Sequence, residues 1–148
     1  MADLNNPCLA CEIVAGRLRP PGGILLREGP FVLHGAALES PIRGWLILTT
    51  VRHVRALYDL APGELSALGP FAARVMNAQR EALGADHAYA YALGDKLNHF
   101  HLHLVPRFPD TPERLRGGRI FTAGPEGALP AAEIEAAAQA IASRLARP

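Results

Sequence analysis

The chain has little of what marks several protein classes. Its apolar runs are short, Trp45-Leu46-Ile47-Leu48 being typical, whereas a bilayer-crossing helix needs about 20 apolar residues. The N-terminus carries Asp3 and lacks the basic-then-apolar order of a secretory signal, so a cytoplasmic location is expected. Formal net charge is +1, which gives no field to gather nucleic acid or an anionic membrane as a bulk partner. Cysteine occurs twice, as Cys8 and Cys11, and in a reducing compartment a disulfide staple is not expected. No internal repeat is visible, and nothing marks a second domain. One domain over residues 1–148 is expected, large enough for a real core.

What the chain does have is a concentration of histidine. Three of its six histidines stand in Asn98-His99-Phe100-His101-Leu102-His103-Leu104-Val105-Pro106-Arg107. Strict alternation with apolar residues predicts a β-strand that turns His99, His101 and His103 to one side and Phe100, Leu102 and Leu104 to a core. Pro106, which has no N–H for a ladder, is expected to end it. A single strand histidine is most simply a half-exposed polar position. Three on one face call for a metal, an anion or each other.

The rest of the chain predicts an α+β fold. Ile24-Leu25-Leu26 and Phe31-Val32-Leu33 flank the turn Glu28-Gly29-Pro30, a hairpin pattern. Trp45 to Thr49 reads as a buried strand. A long amphipathic helix is expected from Ala61 to Leu83, with Pro62 in its first turn, Glu64 complementing its dipole, and Gly84 as its stop. Phe71 and Met76 read as core, and Gly69-Pro70 is expected to weaken or kink the helix. His87 to Leu93 alternates as a strand antiparallel to the histidine strand. From Arg107 to Gly127 the chain reads largely as loop, whose Arg114, Arg116 and Arg119 suit either a phosphate clamp or a solvated basic surface. An Ala-rich helix over 130–147 closes the chain.

Cys8-Leu9-Ala10-Cys11 leaves three readings open: half of a zinc site, a redox pair, or two inert thiols. A redox pair usually follows a strand, and none is predicted here. Zinc needs four ligands, so two more must come from elsewhere. His53, after the Trp45 strand, would by itself read as a surface histidine.

The segment His99-Phe-His101-Leu-His103-Leu-Val, followed by Pro106-Arg107, resembles the His-x-His-x-His-x-x motif of the histidine triad family. Cys8-x-x-Cys11, the strand after Gly44, Arg52-His53-Val54 and Leu57-x-Asp59-Leu60 extend the resemblance over most of the chain. It implies an antiparallel sheet with one long helix and a C-terminal helix, commonly in a homodimer. The implied activity is nucleotide hydrolysis or transfer at a phosphorus bonded to a nucleoside. His101 matches the central, nucleophilic histidine, and His103 lies on the same face as a phosphate donor. Lys96, Asn98 and Arg107 are candidate substrate contacts. In zinc-bearing relatives the metal takes residues matching Cys8, Cys11, His53 and His99, which suits a closed structural zinc site. Three positions depart from the pattern. Trp45 stands where many relatives have a fourth histidine, Ala37 where many have a ribose-binding Asp or Asn, and Asp95-Lys96 where Gln or Ser/Thr contacts the α-phosphate. The substrate is expected to be a nucleoside phosphoramidate or dinucleoside polyphosphate. A zinc-stabilised protein that binds a nucleotide or protein partner without turnover is the alternative.

Overall fold

A computed structural model describes residues 7–36 and 39–148; Ala37 lies outside the described residues. The elements in order are α1 (Leu9–Val14), β1 (Ile24–Glu28), β2 (Phe31–Gly35), β3 (Leu46–Thr50), α2 (Pro62–Leu83), β4 (His87–Tyr91), β5 (His101–Arg107) and α3 (Ala131–Leu145), with short 3-10 turns at Leu57–Asp59, Glu113–Leu115 and Gly117–Thr122. The five strands form one antiparallel sheet in the order β1-β2-β3-β5-β4. No helix is long and apolar enough to cross a membrane among the described residues.

The register gives the sheet two unlike faces. Leu33 pairs with Leu48 and Leu48 with Leu102; Leu46 pairs with Leu104. These leucines, with Phe31, meet Phe71, Ala72, Val75 and Ala78 of α2 and Ile141 of α3 in one buried cluster. One residue along, the opposite face is set out just as strictly: His34 pairs with Ile47 and Ile47 with His103, while Thr49 pairs with His101. A strand has period two, so a one-residue slip would send the histidines into the helix-facing core.

Two expectations change here. Pro106 does not end the histidine strand. It pairs with Ala88 of β4 within β5, and because the β3 ladder stops at Leu46↔Leu104, β5 beyond Leu104 has a free side where a missing donor is tolerated. His99, conversely, lies before the strand. The helix α2 continues through Gly69-Pro70, with Pro70 inside it. Ser66, whose carbonyl Pro70 leaves without its helical donor, is exposed, so water can take the bond. Gly84 closes α2 with φ 75°, its N–H donating to the Arg80 carbonyl, the left-handed cap that glycine provides at least cost. Glu64 does more than complement a dipole: its carboxylate accepts from the Ala61 N–H at 2.7 Å and from Arg52 at 2.8 and 3.1 Å. That ties the start of α2 to the segment carrying His53. Arg52 and the Ala61 N–H hold the Glu64 carboxyl below its ordinary range.

Gln79, fully buried on α2, donates to the carbonyls of Gly44 (2.8 Å) and Leu104 (2.9 Å). One amide therefore pins the entry to β3 and the middle of β5. Gln79→Leu keeps the apolar bulk but strips two buried carbonyls of their donor. A loss of about 2–4 kcal/mol is expected, equivalent to a Tm fall of roughly 6–16 °C at this chain length, measurable by thermal unfolding.

Candidate functional site

The 107–127 stretch is more ordered than a loop. Its 3-10 turns bury Leu115 and Ile120 against Trp45, Ile47, Val105 and Phe108 on the histidine face of the sheet. Arg116 donates to the carbonyls of Thr111 and Pro109, and Arg119 pairs with Glu113. These two arginines hold the segment together instead of forming a phosphate clamp. Between this segment and α1 a cleft of about 710 Å³ opens over the sheet. Its floor is His34, Ile47, Thr49, His101 and His103. Leu9, Ala10 and Ile13 of α1 form one wall, Trp45, Ile120 and Phe121 another, and Gly94 to Leu97 a rim. The size and apolar lining suit a small-molecule ligand.

The three triad histidines part company. His101 and His103 share the cleft, with ring centroids 5.0 Å apart. His99 is fully buried beneath it, in a cluster with Cys8, Cys11 and His53. Each nitrogen of the cleft histidines can be given a role. His101 Nδ1 is 2.7 Å from the His99 carbonyl; a carbonyl accepts, so Nδ1 carries the proton. The lone pair of the neutral ring is then on Nε2, which has no protein partner among the described residues. His103 Nδ1 is 3.2 Å from the indole Nε1 of Trp45, a group that can only donate. So His103 Nδ1 accepts, and its proton sits on Nε2. Burial, then the proximity of His101 and His34, pushes the His103 pKa down to about 4.

His34 was not singled out by the sequence. It is buried, its Nδ1 2.7 Å from the Gly35 carbonyl and its Nε2 2.8 Å from Thr49 Oγ1. The carbonyl takes the Nδ1 proton, so the Thr49 hydroxyl donates to Nε2. Burial lowers the His34 pKa to about 4. The cleft floor thus holds two imidazoles that stay neutral at pH 7. Of the other candidates, Lys96 and Asp95 lie on the rim. Asn98 and Arg107 do not line the cleft. Arg107 sits at the far end of β5, its guanidinium donating to Asp86 at 3.2 and 3.4 Å and to the Tyr89 hydroxyl.

The second cluster is built by α1, an element with no signal in the sequence: six residues are too few to show a helical period. With Cys8 as its N-cap and Cys11 in its first turn, α1 turns both thiols toward the histidines and leaves Leu9, Ala10 and Ile13 to the cleft. Cys11 Sγ lies 3.1 Å from His53 Nδ1 and 3.5 Å from His99 Nδ1, and Cys8 Sγ lies 3.5 Å from His99 Nδ1. All four candidate ligand atoms fall within 4.8 Å of one another. Tetrahedral zinc, at about 2.3 Å to sulfur and 2.0–2.1 Å to nitrogen, sets its ligands roughly 3.3–3.8 Å apart. His99 Nε2 lies 2.8 Å from the Thr50 carbonyl and must donate to it, so Nδ1 presents a lone pair to the thiols. Burial also lowers the His99 pKa. Burial and the neighbouring Cys8 push the Cys11 thiol up to about 11, a cost that a bound dication reverses. The donor set is compatible with zinc.

No family model matches the chain, and no curated protein matches it. Solved structures do. A zinc-bound histidine triad family protein from Mycobacterium smegmatis is similar at 22% identity over 94% of this chain and 93% of that one, with a TM-score of 0.70. A hypothetical histidine triad nucleotide-binding protein from Sulfolobus tokodaii is similar at 15% identity over 93% and 91%, with a TM-score of 0.74. A histidine triad protein from Sinorhizobium meliloti is similar at 21% identity over 82% and 87%, with a TM-score of 0.68. The chain has the histidine triad fold, as its sequence resemblance implied.

Proposed function

We propose that the protein is a nucleotidyl hydrolase or transferase that works through a covalent intermediate on His101. The observation that carries this reading is the pairing of His101, whose Nδ1 proton is committed to the His99 carbonyl, with His103, whose proton is on Nε2, on one cleft floor. The name of the Sulfolobus tokodaii protein, a nucleotide-binding one, supports a nucleotide as ligand.

The chemistry follows from the two imidazoles. The free Nε2 lone pair of His101 attacks the α-phosphorus of a nucleoside phosphoramidate or dinucleoside polyphosphate. A nitrogen–phosphorus bond forms, the bond to the leaving group breaks, and the leaving group departs with the electron pair, an amine taking up a proton from solvent as it leaves. The ring becomes cationic, and the His99 carbonyl stabilises the proton on Nδ1. His103 Nε2–H donates to a phosphoryl oxygen, where charge develops. Lys96 on the rim offers a cation to the phosphate, and Asp95 disfavours additional negative charge nearby. Water, or a second acceptor, then attacks the phosphorus and gives up its proton to solvent, and the nitrogen–phosphorus bond breaks with its electron pair returning to His101 Nε2, which is neutral again. Zinc, held by Cys8, Cys11, His53 and His99, would fix His99 and with it the carbonyl that orients His101. Its ligand set leaves no open position for substrate.

A second reading has its own observation. Trp45, in place of a histidine that many relatives carry, stands edge-on to His103 at 5.7 Å, which would suit a site that binds without turnover. A turnover assay across nucleoside phosphoramidates and dinucleoside polyphosphates separates the two. Release of nucleoside monophosphate from any panel member supports the enzyme. Nucleotide binding, with neither release nor labelling of His101 by a reactive nucleotide analogue, supports the binding protein.

A further inference from the structure

Trp45 is the only tryptophan of the chain and is 95% buried, with 5% exposure. It is not placed as a loose core filler. Gly44 precedes it with φ 78°, and the Gly44 carbonyl is held by Gln79. The same Gln79 amide holds the carbonyl of Leu104, the residue after His103. One side chain thus fixes the backbone beside both partners of the Trp45–His103 hydrogen bond. Two residues after Trp45, Ile47 is the ladder partner of His103, which sets the two rings on one face. Phe121 closes the arrangement, edge-on to His103 at 5.1 Å and to Trp45 at 5.5 Å.

An imidazole in such a place has two neutral tautomers, and a side chain able both to donate and to accept would permit either. Indole permits one. We infer that Trp45 is a positioning residue that holds His103 as its Nε2–H tautomer, so that the cleft meets a phosphoryl oxygen with a fixed donor. The kinetic consequence rests on the proposed reaction. The hydrogen bond and the tautomer belong to the free protein and are read without substrate.

The test is nitrogen NMR of the labelled protein, with kinetics beside it. The wild type is expected to show a scalar coupling across the hydrogen bond between Trp45 Nε1 and His103 Nδ1, and shifts of an unprotonated Nδ1 and a protonated Nε2. Trp45→Phe keeps an aromatic ring and removes the N–H. The coupling should vanish, the His103 shifts should move toward a tautomer mixture, and kcat should fall about 10–100-fold, the loss of one well-placed hydrogen bond, with KM within about threefold. Trp45→His brings back a ring N–H together with an acceptor nitrogen, so either His103 tautomer is again permitted, and both the His103 shifts and the kcat should lie between those of the wild type and Trp45→Phe. Phe121→Leu trims the aromatic wall without touching the hydrogen bond and should leave the tautomer as it is. Absence of the coupling in the wild type, or His103 shifts unchanged in Trp45→Phe, would overturn the inference. The wild-type measurement decides the matter even where Trp45→Phe fails to fold. Lack of turnover in every variant, with the coupling present, would count against the proposed reaction and leave the positioning role standing.

Discussion

Replacing His101 by alanine is expected to lower kcat by at least about 10³–10⁴-fold, that is about 4–5.5 kcal/mol of transition-state stabilisation, while fold and metal content stay as in the wild type. The size follows from the role. His101 supplies the bond-forming lone pair, and neither neighbour can replace it. His103 has its Nε2 protonated and its Nδ1 turned to Trp45. His34 has both nitrogens engaged, with Gly35 and Thr49. The metal cluster does not include His101, so metal analysis and thermal unfolding of His101→Ala should match the wild type. Steady-state kinetics on the preferred substrate checks the first part, and atomic absorption with a melting curve the second. Zinc lost together with activity would mean that His101 acts through the fold.

Cys11→Ser is expected to do the opposite: to lose stability first and activity as a result. Cys11 Sγ lies within 3.5 Å of both His53 and His99 and so joins α1, the His53 segment and the approach to β5. Structural zinc is worth about 10–16 kcal/mol in isolated zinc-finger peptides. Here a core of leucines and two helices also holds the fold, so only part of that is at stake. A Tm fall of more than about 10 °C is expected, or roughly 3 kcal/mol at this length, with zinc dropping from about one ion per chain to nearly none. His99, released, no longer fixes the carbonyl that orients His101, so kcat should fall even at temperatures where the variant stays folded. Calorimetry and metal analysis measure the first effects. Wild-type stability in Cys11→Ser would remove zinc from the account of the fold.

The two variants thus divide the histidine motif by function, and this division was only partly legible in the sequence. The alternation from His99 to Leu104 reveals a two-faced strand, and it places Leu102 and Leu104 in the core. It does not reveal that the ladder begins at His101, because the departure of His99 depends on Thr50 and on cysteines some ninety positions away in the chain. The resemblance to the histidine triad family brings those four residues together; their spacing alone does not. α1 left no pattern because one and a half turns carry no period. His34 belongs to no alternating motif in the sequence, and its importance comes from register: it stands two strands from His103 in the row through Ile47, a non-local fact. At Arg107 the sequence shows a cation at the end of the motif, but not that Asp86, just before β4, lies within 3.4 Å of it. Trp45 read as a departure from a family pattern. Its indole N–H shows how a different residue type can still give His103 a donor, and sequence cannot show that because the partner is 58 positions away.

The proposed reaction bonds a nucleotide to His101. Rapid quenching of the wild type during turnover of a nucleoside phosphoramidate, followed by intact-mass measurement and peptide mapping, tests it most directly. A fraction of the chains is expected to gain the mass of one nucleotidyl group, mapped to His101, formed fast enough to support turnover and absent from His101→Ala. Turnover at full rate with no such adduct, or an adduct on another residue that survives in His101→Ala, would contradict it.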